Sequence, residues 1–192
     1  MTESTRHHAA LAPGVTIDLR RGLVISAALE EETAALIQRV AHISGATTTV
    51  GIDGYAGAAA LIPPLEHALE RAREGTADEV IVVENIDAMD PIPGRPQFSD
   101  LVRVREIVTG LINLRCPVII TALSPDAITV PKSLGAEAWV ALTLTDPVIP
   151  YALGMEYSAA TLNAVEALGP LGEGEAYVRI GDAAPIKARV LP

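Results

Sequence analysis

Apolar and polar positions follow two rhythms along this chain, and the switches between them mark out its elements. The stretch Glu79-Val-Ile-Val-Val-Glu84-Asn85-Ile-Asp87 sets the frame. It is an unbroken, β-branched run that stops abruptly at acid and amide groups. Such a run predicts a strand buried on both faces, as in a parallel sheet covered by helices. Pro117–Thr121 and Ala138–Leu144 read the same way. Val15–Leu19 and Gly22–Ser26 predict a hairpin or a strand entering the sheet. Thr47–Ile52 predicts a further strand, closed by the turn signal Asp53-Gly54. Helical spacing marks Ala27–Ile43 through Leu29, Leu36, Ile37, Val40 and Ala41, with Gly45 as its stop. Ala56–Arg73 predicts a second helix whose regular part starts at Pro63-Pro64, since proline is tolerated in a first turn. Leu101, Val104, Val108, Leu111 and Ile112 trace a third, from Ser99 to Asn113. Ser158 caps a fourth that runs to Leu168. Asp90–Pro96 predicts a loop, and Pro125–Leu134 a loop with one helical turn. The chain closes on an antiparallel pair, Glu175–Ile180 and Ile186–Val190. Residues 1–12 read as a loose tail.

Alternation of strands and helices predicts an α/β fold with a mainly parallel sheet. The chain of 192 residues suits one domain, spanning 13–192. Aromatic residues make up only 3%, so the core must be aliphatic. The formal net charge of −10 speaks against direct nucleic-acid binding, which needs a basic footprint, and favours basic protein partners. Cys116 stands alone, which excludes an internal disulfide and a cysteine zinc cluster and suggests a reducing, cytoplasmic setting. No apolar run is long enough to span a membrane.

Gly22–Ser26 leading into Ala27–Ile43 is a strand-to-helix junction early in an α/β chain, where a phosphate-cradling loop would sit. That loop reads G-x-x-x-x-G-K-[ST]. Here the window reads Ser26-Ala-Ala-Leu-Glu-Glu31-Glu32-Thr33. Both glycines and the lysine are replaced, and Thr33 keeps the last place. The glycines let successive N–H groups converge on phosphates, and the lysine supplies positive charge. Glu32 supplies negative charge instead, beside Glu30 and Glu31. A carboxylate near a phosphate charge costs about 1 kcal/mol in water and roughly 4 kcal/mol at an intermediate dielectric. The same acids in a helix's first turn stabilise it by roughly 0.3–1 kcal/mol each. Electrostatically they occupy the place of a phosphate.

The order strand, loop, helix, then Val80-Ile-Val-Val-Glu84-Asn85, then Val118-Ile-Ile-Thr-Ala122, resembles the RecA-type P-loop ATPase core. The HerA/FtsK superfamily is the most similar, HerA-like translocases in particular. Ile128-Thr-Val-Pro131-Lys132-Ser133-Leu134 followed by Trp139–Pro147 looks like the segment after the sensor strand of that core. Leu168–Arg179 and Pro185–Val190 are similar to the strand pair that closes it. Type VII secretion ATPases, another branch, are also similar and often carry degenerate modules.

The resemblance implies roles residue by residue. Glu84 falls on the metal-coordinating acid of the Walker B strand. Asn85 falls where the superfamily has the glutamate that activates water. Asparagine cannot accept that proton, so general-base catalysis should fail. Asp87 would substitute only with a shifted backbone. Thr121 falls near the polar sensor, or simply bonds to backbone at its strand end. Ser26, Glu31, Glu32 and Thr33 occupy the degenerate phosphate loop. Arg95, Arg103, Arg105 and Arg115 are candidates for the arginine offered to a neighbouring subunit's nucleotide. The implied protein is a catalytically silent structural or regulatory subunit, without a cofactor, that binds a protein partner or its own copies. One alternative is an atypical NTPase that holds ATP and Mg²⁺ through Glu84 and Asp87. Another is an unrelated α/β domain with a small ligand at its strand ends. His7 and His8 make a weak metal pair, while His42, His67 and Cys116 have no partner by spacing. Tyr151, Tyr157 and Met155 form a contact patch or cover the sheet edge.

Overall fold

A computed structural model describes residues 7–44, 49–77, 79–88, 96–123, 130–144 and 148–192, except for the side chains of 49–53, 96 and 97. The strands are β1 (His8–Ala12), β2 (Val15–Asp18), β3 (Leu23–Ser26), β4 (Thr49–Asp53), β5 (Val80–Glu84), β6 (Val118–Ala122), β7 (Ala138–Ala141), β8 (Glu175–Ile180) and β9 (Ile186–Arg189). The helices are α1 (Glu30–Ser44), α2 (Ala58–Arg73), α3 (Pro96–Asn113), α4 (Ile149–Ala152) and α5 (Ala159–Glu166). One seven-stranded sheet runs in the order β4-β5-β6-β3-β7-β8-β9. From β4 to β7 every pairing is parallel, and β8 and β9 join antiparallel. The carboxyl ends of all the parallel strands therefore share one edge.

Alternation along each strand sorts the core into two layers. Val24, Ile81, Val83, Val118 and Ile120 pack with Leu61 and Leu65 of α2 and with Leu101, Val104 and Val108 of α3. Leu23, Ile25, Val80, Val82, Ile119 and Val140 pack with Leu36 and Val40 of α1 and with the β1–β2 hairpin through Leu11, Val15 and Ile17. Each strand's apolar run is continuous because both of its faces are covered.

Several elements depart from the sequence reading. His8–Ala12, expected in a loose tail, forms β1 and pairs with β2. Its Ala9 and Leu11 are fully buried, which ties the segment to the core. Val15–Leu19 therefore pairs backward with β1, and Gly22–Ser26 is the strand that enters the main sheet. Helix α2 begins at Ala58 and carries Pro63 and Pro64 inside it. Those prolines lie on the exposed face, as do Ala59 and Ala60, whose carbonyls lose their N–H donors and can be solvated instead. Helix α3 starts at Pro96, a favoured first position. Helix α4 is too short to leave a period in the sequence. Most of the Asp90–Pro96 loop, residues 90–95, lies outside the described residues. The Ser158 cap and the closing strand pair form as expected.

One corner beyond β7 is held by a buried cation. Arg179 of β8 is only 6% exposed. Its Nη1 donates to the carbonyls of Leu153 and Gly154, each at 3.0 Å, and its Nη2 donates to Asp182 at 3.2 Å. Gly154 has φ +60° and lies against the Trp139 indole, where an added Cβ would sit 2.4 Å from Cε2. Left-handed strain and the steric clash together predict that Gly154→Ala costs about 2 kcal/mol or more. Thermal unfolding should then show Tm lower by about 4–8 °C. An unchanged Tm would mean that the corner is looser than described.

Candidate functional site

The carboxyl edge of the sheet is where open α/β folds place their chemistry. β3 ends there at Ser26, in register with Ala122 of β6 and Ala141 of β7. The chain does not leave the sheet at once. Ala27 N–H donates to the Ala122 carbonyl, and Ala28 N–H to the Thr143 carbonyl, both at 3.2 Å. Leu142 N–H donates to the Ser26 carbonyl at 2.8 Å. α1 starts at Glu30, so the connection is only Ala27–Leu29. A phosphate loop needs successive N–H groups that point into a shared hollow. Here the first two N–H groups point sideways, one to the end of β6 and one to the chain just beyond β7.

The remaining window positions are also engaged. Glu32 Oε1 accepts a hydrogen bond from the Thr143 hydroxyl at 2.7 Å. The Thr33 hydroxyl, on a buried residue, donates back to the Leu29 carbonyl at 3.3 Å. Glu30 and Glu31 are exposed in the first turn of α1. Ser26 Oγ is buried without a hydrogen-bond partner. By strand alternation it shares Val24's face, toward α2 and α3, and so points away from the α1 turn. The groups that would hold Mg²⁺ and phosphate do not fit that task. The first two amides of the connection, those of Ala27 and Ala28, bond to carbonyls, the threonine hydroxyl bonds to its own helix, and acids stand where a cation is needed.

Across β6, the end of β5 forms a brace. Glu84 is half-buried and pairs in register with Asp53 of β4. Asn85 is buried in the left-handed region with φ +52°, which asparagine tolerates better than most side chains. Its N–H donates to Thr121 Oγ1 at 2.9 Å. Gly54 presses onto the same residue, since a Cβ there would lie 2.1 Å from the Asn85 carbonyl oxygen. Both carboxylate oxygens of Asp87 accept from Leu123 N–H at 3.0 Å. The structure thus joins Asn85, Asp87 and Thr121 into one β5–β6 link. β3, which leads into the Ser26–Thr33 window, lies beside β6 and two strand spacings, roughly 10 Å, from β5.

Other candidates are placed apart from this edge or are chemically quiet. Arg103 pairs with Glu66 at 2.8 Å and with Glu106 at 3.4 Å. Arg105 lines a cavity of about 400 Å³ between α3 and residues 131–134. Arg115 has φ +63° just after α3, and Arg95 lies outside the described residues. His42 and His67 are exposed on helices, and His8 lies 3.8 Å from Asp18. Burial pushes the Cys116 thiol up to about 11, which suits a core residue rather than a nucleophile. Among the described residues, no group of three or more His, Cys, Asp or Glu side chains could hold a metal ion. None of their helices is long and apolar enough to cross a membrane. Sequence reading missed Thr143, Leu123 and Gly54. The first two act through long-range contacts that leave no local signal, and Gly54 read only as a turn.

With this geometry in view, no protein-family model matches the sequence, and no curated protein does. Solved structures do match. One is the pCW3 conjugation coupling protein TcpA, in a monomer form with ATPγS. That likeness has a TM-score of 0.62 at 11% identity, covering 92% of this chain and 62% of TcpA. Another is the cytoplasmic domain of the type VII secretion ATPase EccC of Thermomonospora curvata. Its TM-score is 0.64 at 12% identity, covering 97% of this chain and 29% of EccC. The fold is therefore of the P-loop ATPase type. The chain spans less than two thirds of either structure it resembles.

The brace predicts distinct costs at its two members. Thr121→Val keeps the shape but leaves Asn85 N–H unpaired, so it should lose about 1–3 kcal/mol. Asn85→Ala should lose about 1 kcal/mol through left-handed strain, whereas Asn85→Gly should be nearly neutral. Urea unfolding of the variants checks both. Equal stability of the alanine and glycine variants would contradict the conformational role of Asn85.

Proposed function

We propose that this chain is a catalytically silent domain of the P-loop ATPase fold. It serves as a structural or regulatory subunit that meets a protein partner or further copies of itself. The observation that carries this reading is the engagement of the Ala27 and Ala28 N–H groups by the Ala122 and Thr143 carbonyls. The Ala27 and Ala28 amides could turn to a phosphate only by breaking these bonds, and an anion at the start of α1 would meet Glu30, Glu31 and Glu32. Asn85 cannot act as a general base, and its backbone amide is tied to Thr121. Asp87 is occupied in holding Leu123 N–H. Glu84 keeps its place at the strand end, but the brace and loop around it serve the scaffold. The lone, buried thiol of Cys116 fits a reducing compartment such as the cytoplasm.

Thermal unfolding of the purified chain, with ATP and with or without Mg²⁺, tests this reading. A site of about 1 μM affinity would add about 4 kcal/mol at 1 mM ATP and raise Tm by about 8–16 °C. The expected shift is none. Mg²⁺-dependent binding, with turnover that Glu84→Ala abolishes, would overturn the proposal.

A further inference from the structure

Tyr151 and Tyr157 stack with ring centroids 5.9 Å apart and an interplanar angle of 15°. The chain has only four tyrosines, yet Tyr157 is left 50% exposed. The stacked pair borders a cavity of about 310 Å³, which Met155 and Glu156 share with Val130, Pro131 and Lys132 on the facing wall. That volume lies at the lower end of the ligand-pocket range.

Both walls are fixed before anything binds. Gly154 is pressed against Trp139, and its carbonyl and that of Leu153 are held by the buried Arg179 guanidinium. Asp182, itself largely exposed, accepts from Arg179 at 3.2 Å and from the Lys132 ammonium at 2.9 Å, which links the two walls at the surface. Lys132 is thereby engaged, and Arg179 faces carbonyls behind the wall. Glu156 makes no ion pair among the described residues. The cavity therefore offers an aromatic face, a thioether, aliphatic walls and an uncommitted carboxylate.

We propose that this cavity binds an arginine side chain from an extended basic segment of a protein partner. A planar guanidinium stacks on the exposed Tyr157 face and bonds to the Glu156 carboxylate, while its aliphatic stem lies along Met155 and Pro131. The chain's net charge of −10 favours encounter with a basic segment. A second folded copy suits the site less, because a stable interface needs about 800 Å² per partner and this cavity receives one side chain. The inference goes beyond the nucleotide reading and does not depend on it.

The test titrates the full chain with an acetylated, amidated Gly-Gly-Arg-Gly-Arg-Gly-Gly peptide. Tyrosine ring signals are followed by NMR in physiological salt. Peptides with lysine or citrulline in place of arginine serve as controls. The Tyr151 and Tyr157 rings should shift while Tyr55 and Tyr177 stay still. Tyr157→Ala and Glu156→Gln should each weaken binding about tenfold. Unmoved Tyr177 signals show that the variants remain folded. No shift at about 1 mM peptide, a response at Tyr55 instead, or unchanged affinity in both variants would overturn the proposal. Equal binding of the citrulline or lysine peptide would overturn the arginine assignment. No nucleotide enters the experiment, so this inference and the proposed function can fail separately.

Discussion

Two hydrogen bonds hold the turn that leaves the central strand: those from the Ala27 amide to Ala122 at the end of β6 and from the Ala28 amide to Thr143 just beyond β7. They extend the parallel pairing of β3 past its last strand residue, so the chain turns into α1 while still held by the sheet. The amide of buried Ala27 finds its partner in β6, and that of exposed Ala28 finds one in the chain just beyond β7. The central strand gains continuity on both sides. The same bonds take up the first two amides of the connection between β3 and α1.

The rest of the edge follows the same logic. Acids begin α1 and interact with its positive end, which stabilises the helix without a bound anion. Glu32 meets the Thr143 hydroxyl, so the α1 turn is also linked to the chain just beyond β7. On the other side of β6, the left-handed turn at Asn85 aims its amide at Thr121, and Asp87 closes onto Leu123. Positions that could have carried chemistry instead connect neighbouring strands. Fold and site chemistry are separable, so the shape of the scaffold does not by itself assign an activity.

Much of this was legible in the sequence. The runs at 79–84 and 117–121 predict buried parallel strands because both faces of each are covered. The loss of glycine and lysine between Ser26 and Thr33, and the amide at Asn85, are visible as residue identities. The resemblance to FtsK/HerA-type ATPases rested on element order and on the motifs at 128–147 and 168–190, and the TcpA and EccC structures share the fold at identities too low to carry more. What was not legible is long-range. Burial of Leu11 draws β1 out of the expected tail, and solvent on one face of α2 lets Pro63 and Pro64 sit within a helix. The destination of the Ala27 and Ala28 amides depends on strands far along the chain. The fixed walls beside Tyr157 depend on Arg179, whose burial no local pattern announces.

Amide hydrogen exchange at Ala27 and Ala28, resolved residue by residue, addresses the central claim most directly. Amides bonded within a buried sheet exchange slowly. The Ala27 amide, on a buried residue, should be protected at the level of β3, the Ala28 amide, on an exposed residue, should be protected to a lesser degree, and neither should change on adding ATP with Mg²⁺. Rapid exchange of the free protein that becomes protected only with Mg²⁺ and ATP would contradict it, because the loop amides would then be available to a phosphate.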